Sequence, residues 1–139
     1  DQVDGLIRDM EPALSSGLPI LLSGDFNEPS HLDWTERAAD EGCCKLPVRW
    51  PASERVTVVG MTDLYRQVYP DELSHRGYTW TPTPAPRDVM DRIDFLYGRG
   101  VEAVSAAVIG ESEDHAETVI NPYPSDHRAV LARCRVTLP

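Results

Sequence analysis

Apolar residues open the chain at helical spacing: Val3, Leu6, Ile7, Met10 and Leu14 predict an amphipathic helix. Pro12 should kink or end its regular part, and Gly17 followed by Pro19 reads as a stop. The continuous run Ile20, Leu21, Leu22 suits a short strand buried on both faces. Ser30 with Asp33 resembles a capping box, which predicts a helix from His31 to Asp40. Gly42 to Glu54, with Pro47 and Pro51, reads as loop, and Thr57 to Val59 as a short strand. Thr62 or Asp63 should cap a short helix through Leu64, Tyr65 and Val68, stopped by Pro70.

The second half reads as strands. Tyr78 to Thr81 is rich in strand formers, and the proline-rich segment from Pro82 to Arg87 is a loop. Ile93 to Tyr97 and Val101 to Ile109, joined by Gly98-Arg99-Gly100, predict a hairpin. Glu111 to Pro124 is acidic and irregular, and Ala129 to Val136 is the last strand.

At 139 residues and 41% hydrophobic content, the chain has the size and composition of one globular domain. No apolar run approaches a membrane span, and no basic, apolar leader opens the chain. The chain begins inside a helical pattern, which predicts further sequence upstream and leaves the compartment open. A net charge of −10 weighs against tight non-specific nucleic-acid binding but suits carboxylates that hold a cation. Lys45 is the only lysine among 13 basic residues, so any grip on phosphate falls to arginine. Cys43, Cys44 and Cys134 have neither zinc-site nor redox spacing, and their odd number gives no disulfide framework.

Three short segments carry candidate chemistry. Gly24-Asp25-Phe26-Asn27 follows a strand directly, with an acid and an amide two residues apart and, on extended backbone, on one side. An Asx-rich turn explains the same residues without function. In Arg92-Ile93-Asp94-Phe95-Leu96-Tyr97 an aspartate interrupts an apolar strand, and a buried carboxylate is costly unless paired or metal-bound. Asp94 therefore needs a partner, whereas Asp91 reads as a solvated loop acid. Ser125-Asp126-His127 stands just before the last strand, where adjacent side chains point apart and could serve two sub-sites.

In this order, the three segments resemble the endonuclease/exonuclease/phosphatase superfamily, the DNase I-like metal-dependent phosphoesterases. The resemblance runs from the first helix to the last strand and is weakest over residues 42–54 and 111–123. It implies an α/β fold, part of a four-layer α/β sandwich, with this chain supplying roughly one mixed, mainly antiparallel sheet and its flanking helices. It implies divalent-metal-dependent hydrolysis of phosphate esters. Asp25 would orient or deprotonate the attacking water near the metal, and Asn27 would bond a phosphate oxygen or hold Asp25. Asp126 would help bind Mg²⁺ or Mn²⁺. His127 would act as general base or polarise the phosphate, and Asp94 would fix its tautomer.

Weaker candidates follow. His75, Tyr78 and Trp80 could line a substrate rim, with aromatics stacking on a base or sugar, but a strand with one exposed aromatic face is the reading these residues favour. Arg92 could reach phosphate, and an ion pair with a nearby acid competes for it. The family's N-terminal half supplies a metal-binding Glu and a His-containing strand, and neither is recognisable here. Residues 1–139 are therefore expected to be the C-terminal portion of one domain, inactive when isolated, with one sheet face lacking its partner. Nuclease, sphingomyelinase-like lipid phosphodiesterase and phosphatase activities remain open for the whole protein. The alternative is a catalytically incomplete or degenerate binding module on the same fold.

Overall fold

A computed structural model describes residues 2–85 and 89–136. Among these, α1 (Gln2–Ser15), β1 (Ile20–Asp25), α2 (Glu36–Asp40), α3 (Pro51–Val58), β2 (Thr62–Asp63), α4 (Leu64–Val68), β3 (Asp94–Arg99), β4 (Val101–Gly110), β5 (Thr118–Val119) and β6 (Ala129–Val136) follow one another. Pro86 and Arg87, at the end of the expected proline-rich loop, lie outside the described residues. No helix among the described residues is long and apolar enough to cross a membrane.

The strands form two three-stranded ladders, β1-β3-β2 and β5-β4-β6. All pairs are antiparallel except β4 with β5. Residues 78–81 join the ladders. Trp80 bridges Asp91, just before β3, and His127, just before β6. Asp91 N donates to Trp80 O at 2.8 Å, Trp80 N to Asp91 O at 2.9 Å, and Arg128 N to Thr79 O at 2.7 Å. The result is the mixed, mainly antiparallel sheet that the resemblance implies, built in two halves.

Each half packs one face on helices. Phe95 and Tyr97 of β3 join Val56 and Met61, with Met10 and Leu14 of α1 and Ile20 and Leu22 of β1 around them. Ala106 and Val108 of β4 join Tyr65 of α4, with Val68, Tyr69 and Val130 around them. The opposite face is open: Leu21 is 64% exposed and Leu131 55%. The run Ile20–Leu22 is thus buried on one face only, because period-two alternation turns Leu21 away from the core. By the same alternation Ser23 and Asp25 share the open face with Leu21, and His127 and Ala129 share it with Leu131. The candidate chemistry therefore lies on the uncovered side of the sheet.

Several local expectations change. Residues 51–58 form a helix where loop and strand were expected. Pro51 starts it, Ala52 and Val56 bury one side, and the Glu28 carboxylate accepts from Ala52 N at 2.6 Å. A proline at the first turn and a carboxylate against the N-terminal amides favour helix over the weak strand tendency of Thr57 and Val58. Helix α2 is shorter than expected. Thr35 caps it, accepting from Ala38 N at 3.0 Å, while Ser30 O closes a turn with Asp33 N and Trp34 N. Pro12 does not end α1. Asp63 does cap α4, accepting from Tyr65 N and Arg66 N at 3.1 Å each.

Candidate active site

Strand β1 ends at Asp25, and Asn27 adopts a left-handed φ of 49°, a conformation asparagine tolerates better than most residues. Asp25 and Asn27 meet through this turn, not through strand alternation. Asn27 N donates to Asp25 Oδ1 at 2.7 Å, and Asn27 Nδ2 donates to Asp25 Oδ2 at 2.9 Å. Phe26, on the other side, packs edge-on to Phe95 and Tyr97 with ring centroids 5.3 and 5.6 Å away. Its amide donates to Ile93 O at 2.8 Å, so the loop is clamped to β3.

Asp94 opens β3 directly opposite Asp25 and is half-buried, its side chain 22% exposed. Thr79 is fully buried, and its Oγ1 accepts from both Ile93 N at 3.0 Å and Asp94 N at 3.1 Å. The partner that Asp94 needed is His127, whose Nδ1 lies 2.9 Å from Asp94 Oδ2. A carboxylate only accepts, so Nδ1 carries the proton and neutral His127 keeps Nε2 as a lone-pair acceptor. The hydrogen bond to Asp94 raises the His127 pKa above its ordinary 6.5, against a smaller opposing effect of burial. The charges of Asp94, Asp25 and Asp126 act in the same direction.

The turn that carries His127 is held from behind. Arg128 is 1% exposed; its guanidinium donates to both Glu111 oxygens, at 2.8 and 2.5 Å, and to Tyr78 O at 3.1 Å. Thr81 Oγ1 donates to Asp126 O at 3.0 Å. Trp80 faces the imidazole with ring centroids 4.8 Å apart. A cleft of about 540 Å³ is lined by Asn27, Trp80, Asp91, Asp126 and His127, among others. Asp126 and His127 thus border one cleft, although their side chains start in opposite directions.

Asp91 is not the solvated acid that the sequence suggests. It is half-buried in this cleft, and Trp34 Nε1 donates to its Oδ1 at 3.0 Å. Burial raises its pKa above the ordinary carboxylate value, the Trp34 bond opposes that, and the charge of Asp33 adds to it. Periodicity gives no sign of this role, because Trp34 is 57 residues away. Arg92 is not a phosphate contact: it is 2% exposed and spent on Asp33 and Asp63. His75 lies apart from the cleft, stacked on Tyr69 with centroids 4.2 Å apart, and lines a separate hollow with Tyr78 and His115.

Carboxylate oxygens, the ligand type a hard divalent cation takes, gather around the His127–Asp94 pair. Asp25, Asp94 and His127 each offer one ligand atom, all within 4.8 Å of one another. The oxygen-rich character matches an ion that keeps several water ligands. Asp126 borders the cleft outside that trio.

The fold is an α/β arrangement of mainly antiparallel strands, and Asp25, Asn27, Asp94 and His127 gather on its open face as a candidate site. The model of the Endonuclease/Exonuclease/phosphatase family matches residues 1–127, and the chain belongs to that family. Family members are generally hydrolases of phosphoesters and typically depend on a divalent metal. The chain is also 34% identical, over 131 residues, to "Uncharacterized protein F14F9.5" of Caenorhabditis elegans. The match covers 83% of this chain and 40% of that relative.

Proposed function

We propose that the full-length protein hydrolyses phosphate esters by in-line attack of water, with His127 as general base. The observation that carries this reading is the 2.9 Å bond from His127 Nδ1 to Asp94, with Asp25 paired opposite Asp94 and offering a ligand atom within 4.8 Å of both. His127 Nε2 takes the proton of the attacking water as the water oxygen bonds phosphorus and the bond from phosphorus to the alcohol oxygen breaks. Asp94 stabilises the imidazolium that forms. Asp25 orients the water, and Asn27, with one Nδ2 hydrogen bound to Asp25, has the other for a phosphoryl oxygen. Asp25 and Asp126 would hold Mg²⁺ or Mn²⁺, which when bound supplies positive charge against the phosphoryl oxygens.

Only neutral His127 can accept a proton, so its raised pKa puts the acid limb of kcat/KM above pH 6.5. Asp94→Asn removes the cause of that shift and should move the limb to lower pH. Its kcat/KM should also fall about 10²-fold through loss of the tautomer. Rate profiles from pH 5 to 9 on bis-p-nitrophenyl phosphate with Mg²⁺ test this, and an unmoved limb in Asp94→Asn argues against His127 as the base.

The uncovered sheet face and the 40% coverage of the relative support a further reading: residues 1–139 hold half of a site. Made alone, this chain should show no hydrolysis of bis-p-nitrophenyl phosphate above buffer with Mg²⁺. Robust turnover by the isolated chain would refute that. The net charge of −10 favours small-molecule or headgroup substrates over duplex DNA.

A further inference from the structure

The cleft continues beyond the His127–Asp94 pair. Trp80 is bridged to His127 on one side and to Asp91 on the other, both antiparallel. Residues directly opposite in antiparallel pairing project from the same face of the sheet. Imidazole, indole and carboxylate therefore stand in a row across three neighbouring segments. With strands spaced about 4.8 Å apart, Asp91 lies roughly 10 Å from His127 along that row. That is the reach of a short alcohol substituent extending from a phosphorus atom beside His127.

The far end of the row is rigid and negative. Asp91 is tied to Trp80 by two backbone hydrogen bonds, and its Oδ1 is held by Trp34 Nε1. No lysine or arginine is among the described residues that line the cleft. Arg92, the next residue in sequence, turns its guanidinium to Asp33 and Asp63. Among the described lining residues, a second phosphate would thus meet Asp91 with no cation to offset it. A cation would meet a fixed carboxylate beside an indole face, and both attract it. The carboxylate is half-buried, so a positive group gained there interacts with it through little intervening water.

We propose that Trp80 and Asp91 form a subsite for an ammonium group carried on the alcohol portion of the substrate. This deepens the phosphoesterase reading and rests on it. Asp91 and Trp80 select which ester is held, while Asp25, Asn27, Asp94 and His127 act on its phosphorus.

The test uses the full-length protein with Mg²⁺ and two diesters of equal shape and common leaving group: p-nitrophenyl phosphorylcholine and p-nitrophenyl 3,3-dimethylbutyl phosphate. They differ only in the positive charge. The choline ester should have a kcat/KM about tenfold higher or more, mostly through KM. Asp91→Asn should bring the ratio close to one, and Trp80→Leu should reduce it. Tetramethylammonium chloride should compete with the choline diester in the wild-type protein, a measurement that needs no variant. Equal rates for the two diesters, a preference that survives Asp91→Asn, or no competition by tetramethylammonium would each overturn the subsite. If bis-p-nitrophenyl phosphate is cleaved without a charge preference, only the subsite fails. If no phosphoester is cleaved, the phosphoesterase reading fails with it. A choline-headgroup lipid in detergent micelles, run beside glycerophosphocholine in solution, separates a lipid source from a soluble one by which turns over faster.

Discussion

His127→Ala in the full-length protein is expected to lower kcat/KM by about 10³- to 10⁴-fold, near the upper range for loss of a positioned general base. The fall should lie in kcat, because the imidazole acts on the water and not on the bound ester. His127 meets Asp94 and Trp80 directly, while Thr79 holds Asp94 and the buried Arg128 anchors the turn, so removal of the imidazole empties an otherwise intact frame. The expected stability change follows from linkage. Asp94 raises the folded-state pKa of His127 above its ordinary 6.5, so the pair stabilises the fold fully below that pH. That contribution is lost as pH rises through the folded-state pKa. His127→Ala should therefore cost stability mainly on the acid side, while activity is lost at every pH. Steady-state kinetics beside thermal melts at pH 5.5 and 8.5 separate the two effects. Activity retained within tenfold of wild type would remove His127 from the chemistry.

Arg92→Met has the largest expected effect on folding, about 3–5 kcal/mol, the usual cost of stripping one partner from a buried ionic group. Arg92 Nε and Nη2 donate to the two Asp33 oxygens at 2.9 and 3.1 Å, and Nη1 donates to Asp63 Oδ2 at 2.7 Å. Its guanidinium also lies 4.7 Å from the centre of the Phe95 ring. Without it, the nearly inaccessible Asp63 keeps its bonds from the Tyr65 and Arg66 amides but loses its cation, and Asp33 keeps only the guanidinium of Arg66, which bonds its Oδ1 at 2.7 Å. Exposed pairs such as Arg135 with Glu102 carry far less, because water screens them and holding two long side chains in place costs entropy. Urea denaturation of the full-length protein measures the difference, and a loss under about 1 kcal/mol would contradict the buried-network account.

The three chemistry-bearing segments are legible in the sequence because each consists of contiguous residues, and their order alone carries the family resemblance. The bounds of β6 are legible to the residue, and those of β3 and β4 nearly so, because alternation and a Gly-Arg-Gly turn are local signals. The expected hairpin does not form: β3 pairs with β1 and β2, and β4 with β5 and β6, because partners are set by packing across the sheets and not by the turn. Helix α3 is not, since its start depends on Pro51 and on a carboxylate from Glu28, 24 residues earlier. The Asp94–His127 pair enters through the resemblance. A carboxylate within an apolar strand demands a partner but does not name one 33 residues on.

Local pattern, then, determined which segments are helix or strand over most of the chain and which residues could do chemistry. Only the tertiary structure decided who meets whom. It took Arg92 from the substrate into an ion-pair network with Asp33 and Asp63, and set His75 apart from the cleft. It brought Asp91 from an expected solvated loop to the cleft wall beside Trp80. The physical reason is that periodicity fixes the direction of a side chain relative to its own backbone, whereas a partner is fixed by how distant elements pack. Trp34 with Asp91 and Arg92 with Asp33 span 57 and 59 residues, and nothing in the spacing of a strand or helix encodes a contact of that range.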